Sequence, residues 1–159
     1  MIARAGAAAL LFLAACGGSL SGTPTLELTV TNEQGRSLEL SALRGRPSLL
    51  FVFATYDANS QLALVPLIEA SKANGRATVI GIAVQDDAQA FLGPFKEALD
   101  IPFAIYIDSA GALLQGITAL GKLPGVPAYV ALDAEGHVKK TFFGVAKVEV
   151  VDDLIESAQ

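Results

Sequence analysis

The sequence predicts an α/β domain in which helices flank a central mixed β-sheet, with a β-hairpin added at the N-terminal end. Three observations carry that prediction. Two almost wholly apolar runs, Pro47 to Phe53 and Thr78 to Val84, have the composition of strands covered on both faces, and each is followed by apolar residues at helical spacing. A proline-introduced pair of stretches around a DAEG turn, residues 123–144, then predicts a closing hairpin. With 159 residues, 52% of them apolar, the chain can bury one core and little beyond it.

Each element has its own local reason. Leu26, Leu28 and Val30 alternate with Glu27 and Thr29, the period of a strand with one wet face. Asn32 to Gly35 supplies a turn and Ser37 to Leu40 a returning strand, so residues 25–40 form a hairpin. The run ending at Phe53 leads into a helix from Asn59, with Leu64, Leu67 and Ile68 on one face, Pro66 as a kink, and Asn74-Gly75 as its stop. After the second buried strand, Asp86 or Asp87 caps a helix whose apolar face is Ala88, Phe91, Leu92, Phe95, Ala98 and Leu99, bent at Gly93-Pro94. Phe103 to Ile107 is a further strand, followed by a short helix or turn through Leu114. Val148, Val151, Leu154 and Ile155 mark a final amphipathic helix.

The first residues carry targeting rather than structure. Arg4 forms a positive n-region and Ala7 to Leu13 a short apolar core, below the roughly 18 residues of a spanning helix. Leu13-Ala14-Ala15-Cys16 resembles the lipobox of bacterial lipoproteins, in which the leader is cut before the cysteine and its thiol receives the lipid. The expected organisation is a signal peptide over 1–15, a lipidated Cys16 with a flexible tether over 16–24, and one domain over 25–159. This resemblance implies a location in the bacterial cell envelope facing the periplasm, held through N-terminal lipid. Gly17 differs from the aspartate that retains lipoproteins in the inner membrane of enteric bacteria, which favours the outer membrane.

Composition excludes several function classes. Sixteen acidic residues against 11 basic ones, with no Lys or Arg cluster, argue against nucleic acid as a partner. One His and one Cys leave no soft or imidazole ligand set for zinc or copper within one chain, so no metal is expected. Asp57, Asp86, Asp87 and Asp108 lie near strand ends and could hold a hard cation, but none is spaced like an oxygen-ligand loop, and caps and turns account for all four. No glycine-rich phosphate cradle follows a strand, and no cofactor is expected.

Several segments together resemble the thioredoxin superfamily, and within it the membrane-anchored TlpA and ResA-like thiol-disulfide proteins, a redoxin type. Leu43, Gly45 and Pro47, followed by LLFVFATY, are similar to that family's "L-x-G-K-P" segment, central strand and "F-W-A-T-W" lead-in. Phe53, Ala54 and Thr55 match the lead-in, and Tyr56 stands for its second tryptophan. Gly125-Val126-Pro127 resembles the segment bearing the family's cis-proline, and Asp133 to Gly136 the hairpin turn after it. The resemblance runs from about Thr25 to the C-terminus and implies a thioredoxin-like fold.

Carried over residue by residue, the family's C-x-x-C falls on Asp57, Ala58, Asn59 and Ser60, so both thiols are absent. Pro66 stands one residue later than the family's proline in this helix, and moving the register by one finds no cysteine either. Thiol-disulfide exchange needs a sulfur anion that forms and releases a bond to another sulfur, which a carboxylate or hydroxyl cannot replace. A helix N-terminus favours a carboxylate as anion, which makes Asp57 a cap worth about 1 kcal/mol rather than a base. Ser60 as a nucleophile would need a positioned base, and the one histidine, His137, falls after the DAEG turn, where it is expected to be solvated. What the resemblance retains is a groove lined by Tyr56, Asp57, Ala58, Asn59, Ser60, Val126 and Pro127, suited to an envelope protein or peptide. The expected function is a lipid-anchored, redox-inactive binding module. The alternative is a thiol-disulfide or peroxide-handling redoxin working with an external thiol.

Overall fold

The computed structural model describes residues 23–159, so the leader, the lipobox and Cys16 lie outside the described residues. The strands are β1 Thr29–Thr31, β2 Ser37–Glu39, β3 Ser48–Phe53, β4 Thr78–Ala83, β5 Ala104–Ile107, β6 Ala128–Leu132 and β7 Val138–Phe143. The helices are α1 Ala58–Ala73, α2 Ala88–Ala98, α3 Ala112–Gln115 and α4 Val148–Ser157. All seven strands join one sheet in the order β2-β1-β5-β4-β3-β6-β7. Strands β3, β4 and β5 are parallel, while β1, β6 and β7 pair antiparallel with their neighbours, which is the mixed sheet the sequence predicts.

The two apolar runs occupy the centre because they have no wet face. Every residue of β3 is buried, and it pairs with β4 on one side and β6 on the other. Its side chains alternate between two cores. Leu49, Phe51 and Phe53 meet α1, α2 and α4 through Leu64, Leu67, Leu92, Val151, Leu154 and Ile155. Leu50 and Val52 meet Leu26, Val30, Leu40, Leu113 and Leu123 on the opposite face. Gly81 on β4 has a direct steric reason: a Cβ there would stand 3.2 Å from the Phe53 ring and 3.3 Å from Ile105. Its absence lets Phe53 lie flat over β4 and stack on Phe95 at 5.7 Å.

Three expectations are corrected. The hairpin's ladders are shorter than residues 25–40, because the Leu26 amide donates to Gly136 O at 3.0 Å and Leu40 begins a single 3₁₀ turn. Phe91, Ala98 and Leu99 do not join the buried face of α2, Phe91 and Leu99 being 50% and 42% exposed, whereas Ala88 and Leu92 are buried. Asp87 occupies the N-cap position of α2 without a side-chain capping bond; its Oδ1 instead accepts from Gln85 Nε2 at 2.8 Å. Pro66 and Pro94 fall inside α1 and α2, where the sequence places them. The carbonyl that Pro66 leaves without a partner belongs to Leu62, on the exposed side of α1, where water can serve it.

Tyr129 links the core to pH. It is fully buried on β6 and its hydroxyl donates to Ala63 O at 3.2 Å. Burial pushes its phenol from 10.0 up to about 12, against the opposing backbone amide of Ala146. Because the folded state holds this proton more tightly, the contribution is complete below pH 10 and disappears as pH climbs to about 12. The expected loss across that window is roughly 2–3 kcal/mol. Urea unfolding at pH 8 and pH 12 should show it in the native chain, and Tyr129→Phe should remove that part of the alkaline slope.

Candidate functional site

The site is built where β3 ends. The pairing of Val52 with Ala128 places Pro127, one residue before β6, opposite the C-terminal end of β3, four residues ahead of Asp57. The Val126–Pro127 bond is cis, as the family resemblance implies, and Pro127 O accepts from the Gly144 amide at 2.8 Å. Gly116 helps shape the loop leading there: its φ is +73°, and a Cβ would meet the Lys122 backbone at 2.8 Å.

Asp57 is the N-cap of α1. Its Oδ2 accepts from the Ser60 amide at 2.7 Å, so the carboxylate folds over the first turn. Ser60 is fully buried, and its Oγ accepts from the Ala54 amide at 3.4 Å. Ser60 therefore lies beneath the groove, where a bound chain would not reach its hydroxyl. Ala58 and Asn59 are exposed, Tyr56 is 76% exposed, Asp57 and Val126 are half-buried, and Pro127 is buried. Asp57→Ala should cost about 1 kcal/mol, since it leaves the Ser60 amide without its acceptor. Thermal unfolding followed by circular dichroism checks this, with Asp57→Asn or Asp57→Ser expected to recover most of the loss.

The lead-in segment is held by a lock that sequence reasoning missed. Gln85, just after β4, is buried, and its Oε1 accepts from the Thr55 amide at 2.5 Å and from the Thr55 hydroxyl at 2.8 Å. Gln61 Nε2 donates to Thr55 O at 2.8 Å. The sequence offers one hint, an amide side chain at the end of a buried strand, but its partner lies 30 residues away.

The other acidic candidates resolve as local structure. Asp108 is buried and caps α3, its two oxygens accepting from the Ala112 amide at 3.1 Å and the Leu113 amide at 2.8 Å. Asp86 is exposed. His137 differs from the solvated residue expected: its Nδ1 lies 3.1 Å from Asp133 Oδ2, and its backbone bridges to Thr25. Desolvation alone would raise the Asp133 carboxyl, but the His137 amide and ring, that ring's charge and the Glu135 amide hold it below the usual carboxylate range. Asp133, Glu135 and His137 bring two carboxylates and one imidazole within 4.8 Å of one another. Asp133 Oδ1 already accepts from the Glu135 and His137 amides, so this cluster is the framework of the turn. It also lies at the wrong end of the sheet for Ser60, because Leu132 pairs with Ser48 at the start of β3. At about 3.3 Å per residue that is roughly 15 Å from the groove.

Among the described residues, no helix is long and apolar enough to cross a membrane. The solved structures that resemble the chain include a thioredoxin-family thiol:disulfide interchange protein from Chlorobium tepidum. It has a TM-score of 0.70 and 19% identity, over 86% of this chain and 95% of that one. A pneumococcal exposed lipoprotein thioredoxin from Streptococcus pneumoniae has a TM-score of 0.66 and 19% identity, over 82% and 98% respectively. In sequence, chloroplastic peroxiredoxin Q of Oryza sativa subsp. japonica is 30% identical over 132 residues, or 78% of this chain. The chain spans 59% of that relative's length. The Redoxin family matches residues 20–155. The chain belongs to the Redoxin family and has its thioredoxin-like fold.

Proposed function

We propose that this chain is a lipid-anchored module of the bacterial envelope, of the TlpA and ResA-like kind, that has no thiol chemistry of its own and binds an extended segment of a protein partner. The groove of Tyr56, Asp57, Ala58, Asn59, Val126 and Pro127 receives that segment, with Ser60 supporting it from below. One observation carries the reading: the two residues standing at the C-x-x-C positions are engaged with the backbone, Asp57 with the Ser60 amide and Ser60 with the Ala54 amide. Neither side chain is sulfur, so neither can enter a disulfide. Exposed backbone and the apolar surfaces of Tyr56 and Val126 are what remain for recognition.

An anchor ahead of the domain need not obstruct the groove. Thr25 bridges to His137, and the Leu26 amide donates to Gly136 O, so the described chain starts at the pole of the sheet opposite Pro127. The pneumococcal relative in structure is itself an exposed lipoprotein.

Photocrosslinkers at Tyr56 and Val126 in native membranes are expected to enrich a partner that one at Lys139 does not. Equal capture from both faces would reject the groove as the binding surface. The likeness to peroxiredoxin Q favours a second reading, a redoxin that works with an external thiol. Peroxide turnover and insulin reduction by chain carrying Cys16→Ser decide between them: no rate above the thiol background is expected, and clear turnover would establish the second reading.

A further inference from the structure

Beside the groove, between the start of α1 and the middle of α2, lies an open cavity of about 480 Å³. That is within the range of ligand pockets, about 300–1,000 Å³. Its walls are the side chains of Tyr56, Phe91, Pro94 and Phe95, with Gln85 and Asp87 at the rim. Two of these rings are unusually wet, Tyr56 at 76% and Phe91 at 50% exposure. Phe91 repeats at helical spacing with Leu92 and Phe95, yet it faces this space and not the core.

The uncharged polar groups of Thr55 and Gln85 at the cavity are paired from within, and Asp87 keeps one carboxylate oxygen outward of its single bond. Gln85 Oε1 takes both donors of Thr55, and Gln85 Nε2 gives one of its two hydrogens to Asp87. An occupant therefore finds apolar walls and one kind of charge. Asp87 is the charged residue among those that line the cavity; the exposed Asp86 precedes it in the chain, and Lys96, which follows Phe95 on α2, lines a different surface hollow with Glu33, Glu97 and Asp100. A carboxylate at the rim of an apolar hollow complements a cationic chain with a bulky apolar residue, and it repels an acidic one.

We infer that the cavity between Tyr56 and Phe91 takes a bulky apolar side chain of a bound peptide whose flanking residues are lysine or arginine. The inference rests on the peptide-binding reading of the groove and names the chemistry that reading leaves open. Tyr56 belongs to both surfaces, so a chain crossing the groove would carry the side chain at one end of its path into the cavity.

Fluorescence anisotropy with three labelled peptides, GSKFKSG, GSKSKSG and GSEFESG, on the full chain carrying Cys16→Ser tests this. The first is expected to bind at least about tenfold more tightly than either of the others, with affinity that falls as salt rises. Phe91→Ser should erase the preference for phenylalanine over serine, and the Asp86→Asn, Asp87→Asn pair should erase most of the preference for lysine over glutamate. These residues are exposed, so circular dichroism should be unchanged. Equal affinity for the three peptides, no binding of any, or preferences untouched in both variants would overturn the inference. Val126→Arg separates this from the underlying reading. If it abolishes binding while Phe91→Ser changes nothing, the groove stands without the cavity; if it leaves the binding of all peptides unchanged, the groove itself is rejected.

Discussion

The double variant Asp57→Cys, Ser60→Cys is expected to gain thiol-disulfide activity well above that of the parent. Residue 57 caps α1 and residue 60 lies in its first turn, and side chains three apart on a helix are neighbours. The 2.7 Å bond from the Ser60 amide to Asp57 Oδ2 places the side chain of residue 57 directly over residue 60. A thiol at the cap position would face free backbone N–H groups, which favour the thiolate and so the attacking form. The thiol at residue 60, replacing a fully buried hydroxyl, would be shielded from outside reagents and free to resolve the mixed disulfide. Insulin reduction driven by dithiothreitol should rise at least about tenfold above the parent, and mass spectrometry after oxidation should find a 57–60 disulfide. A folded double variant that forms no such disulfide would show that Asp57 does not stand where the attacking cysteine of the family stands. The variant should also lose about 1 kcal/mol of stability with its cap.

Phe51→Ala is expected to have the largest effect on stability. Phe51 is fully buried in the middle of β3 and stacks on Phe53 at 5.3 Å. It also meets Tyr129 at 5.1 Å. Those rings continue to Phe95 on α2 and Phe142 on β7, so one aromatic row crosses the sheet from helix to edge. Truncation leaves a cavity that β-strand neighbours on both sides prevent from collapsing, at a cost of about 3–5 kcal/mol. In a domain whose whole stability is about 5–15 kcal/mol, that is enough to populate unfolded chain. Urea titration should move its midpoint sharply down with an unchanged slope. A loss below about 1 kcal/mol would mean that the row is not packed as described. Phe51→Leu, which keeps most of the volume, should retain more than half of the lost stability.

Some of the site could be read from local pattern alone. Asp57 stands just before a run of helical spacing, and an acid in that place is a cap for reasons confined to one turn of chain. The buried runs Ser48–Phe53 and Thr78–Ala83 announce themselves because a strand covered on both faces has nowhere to put a charge. Phe91 misled for the same kind of reason: periodicity identifies a face of a helix, but not how far the covering layer extends over it. The Thr55–Gln85 lock and the His137–Asp133 pair were illegible in a different way. Each looks like an ordinary polar residue until a neighbouring strand or turn supplies its partner.

By itself the sequence determined what the chain is made of and how it alternates: its apolar strands, its helix caps, and the lack of sulfur at residues 57 and 60. The tertiary structure alone decided that Tyr56 and Phe91 share one apolar hollow with Asp87 at its rim, and that Thr25 pairs with His137 at the opposite pole of the sheet. The division has one physical cause. Alternation and capping are set by bonds a few residues long, whereas a cavity belongs to the space between elements and comes into being only when their registers lock.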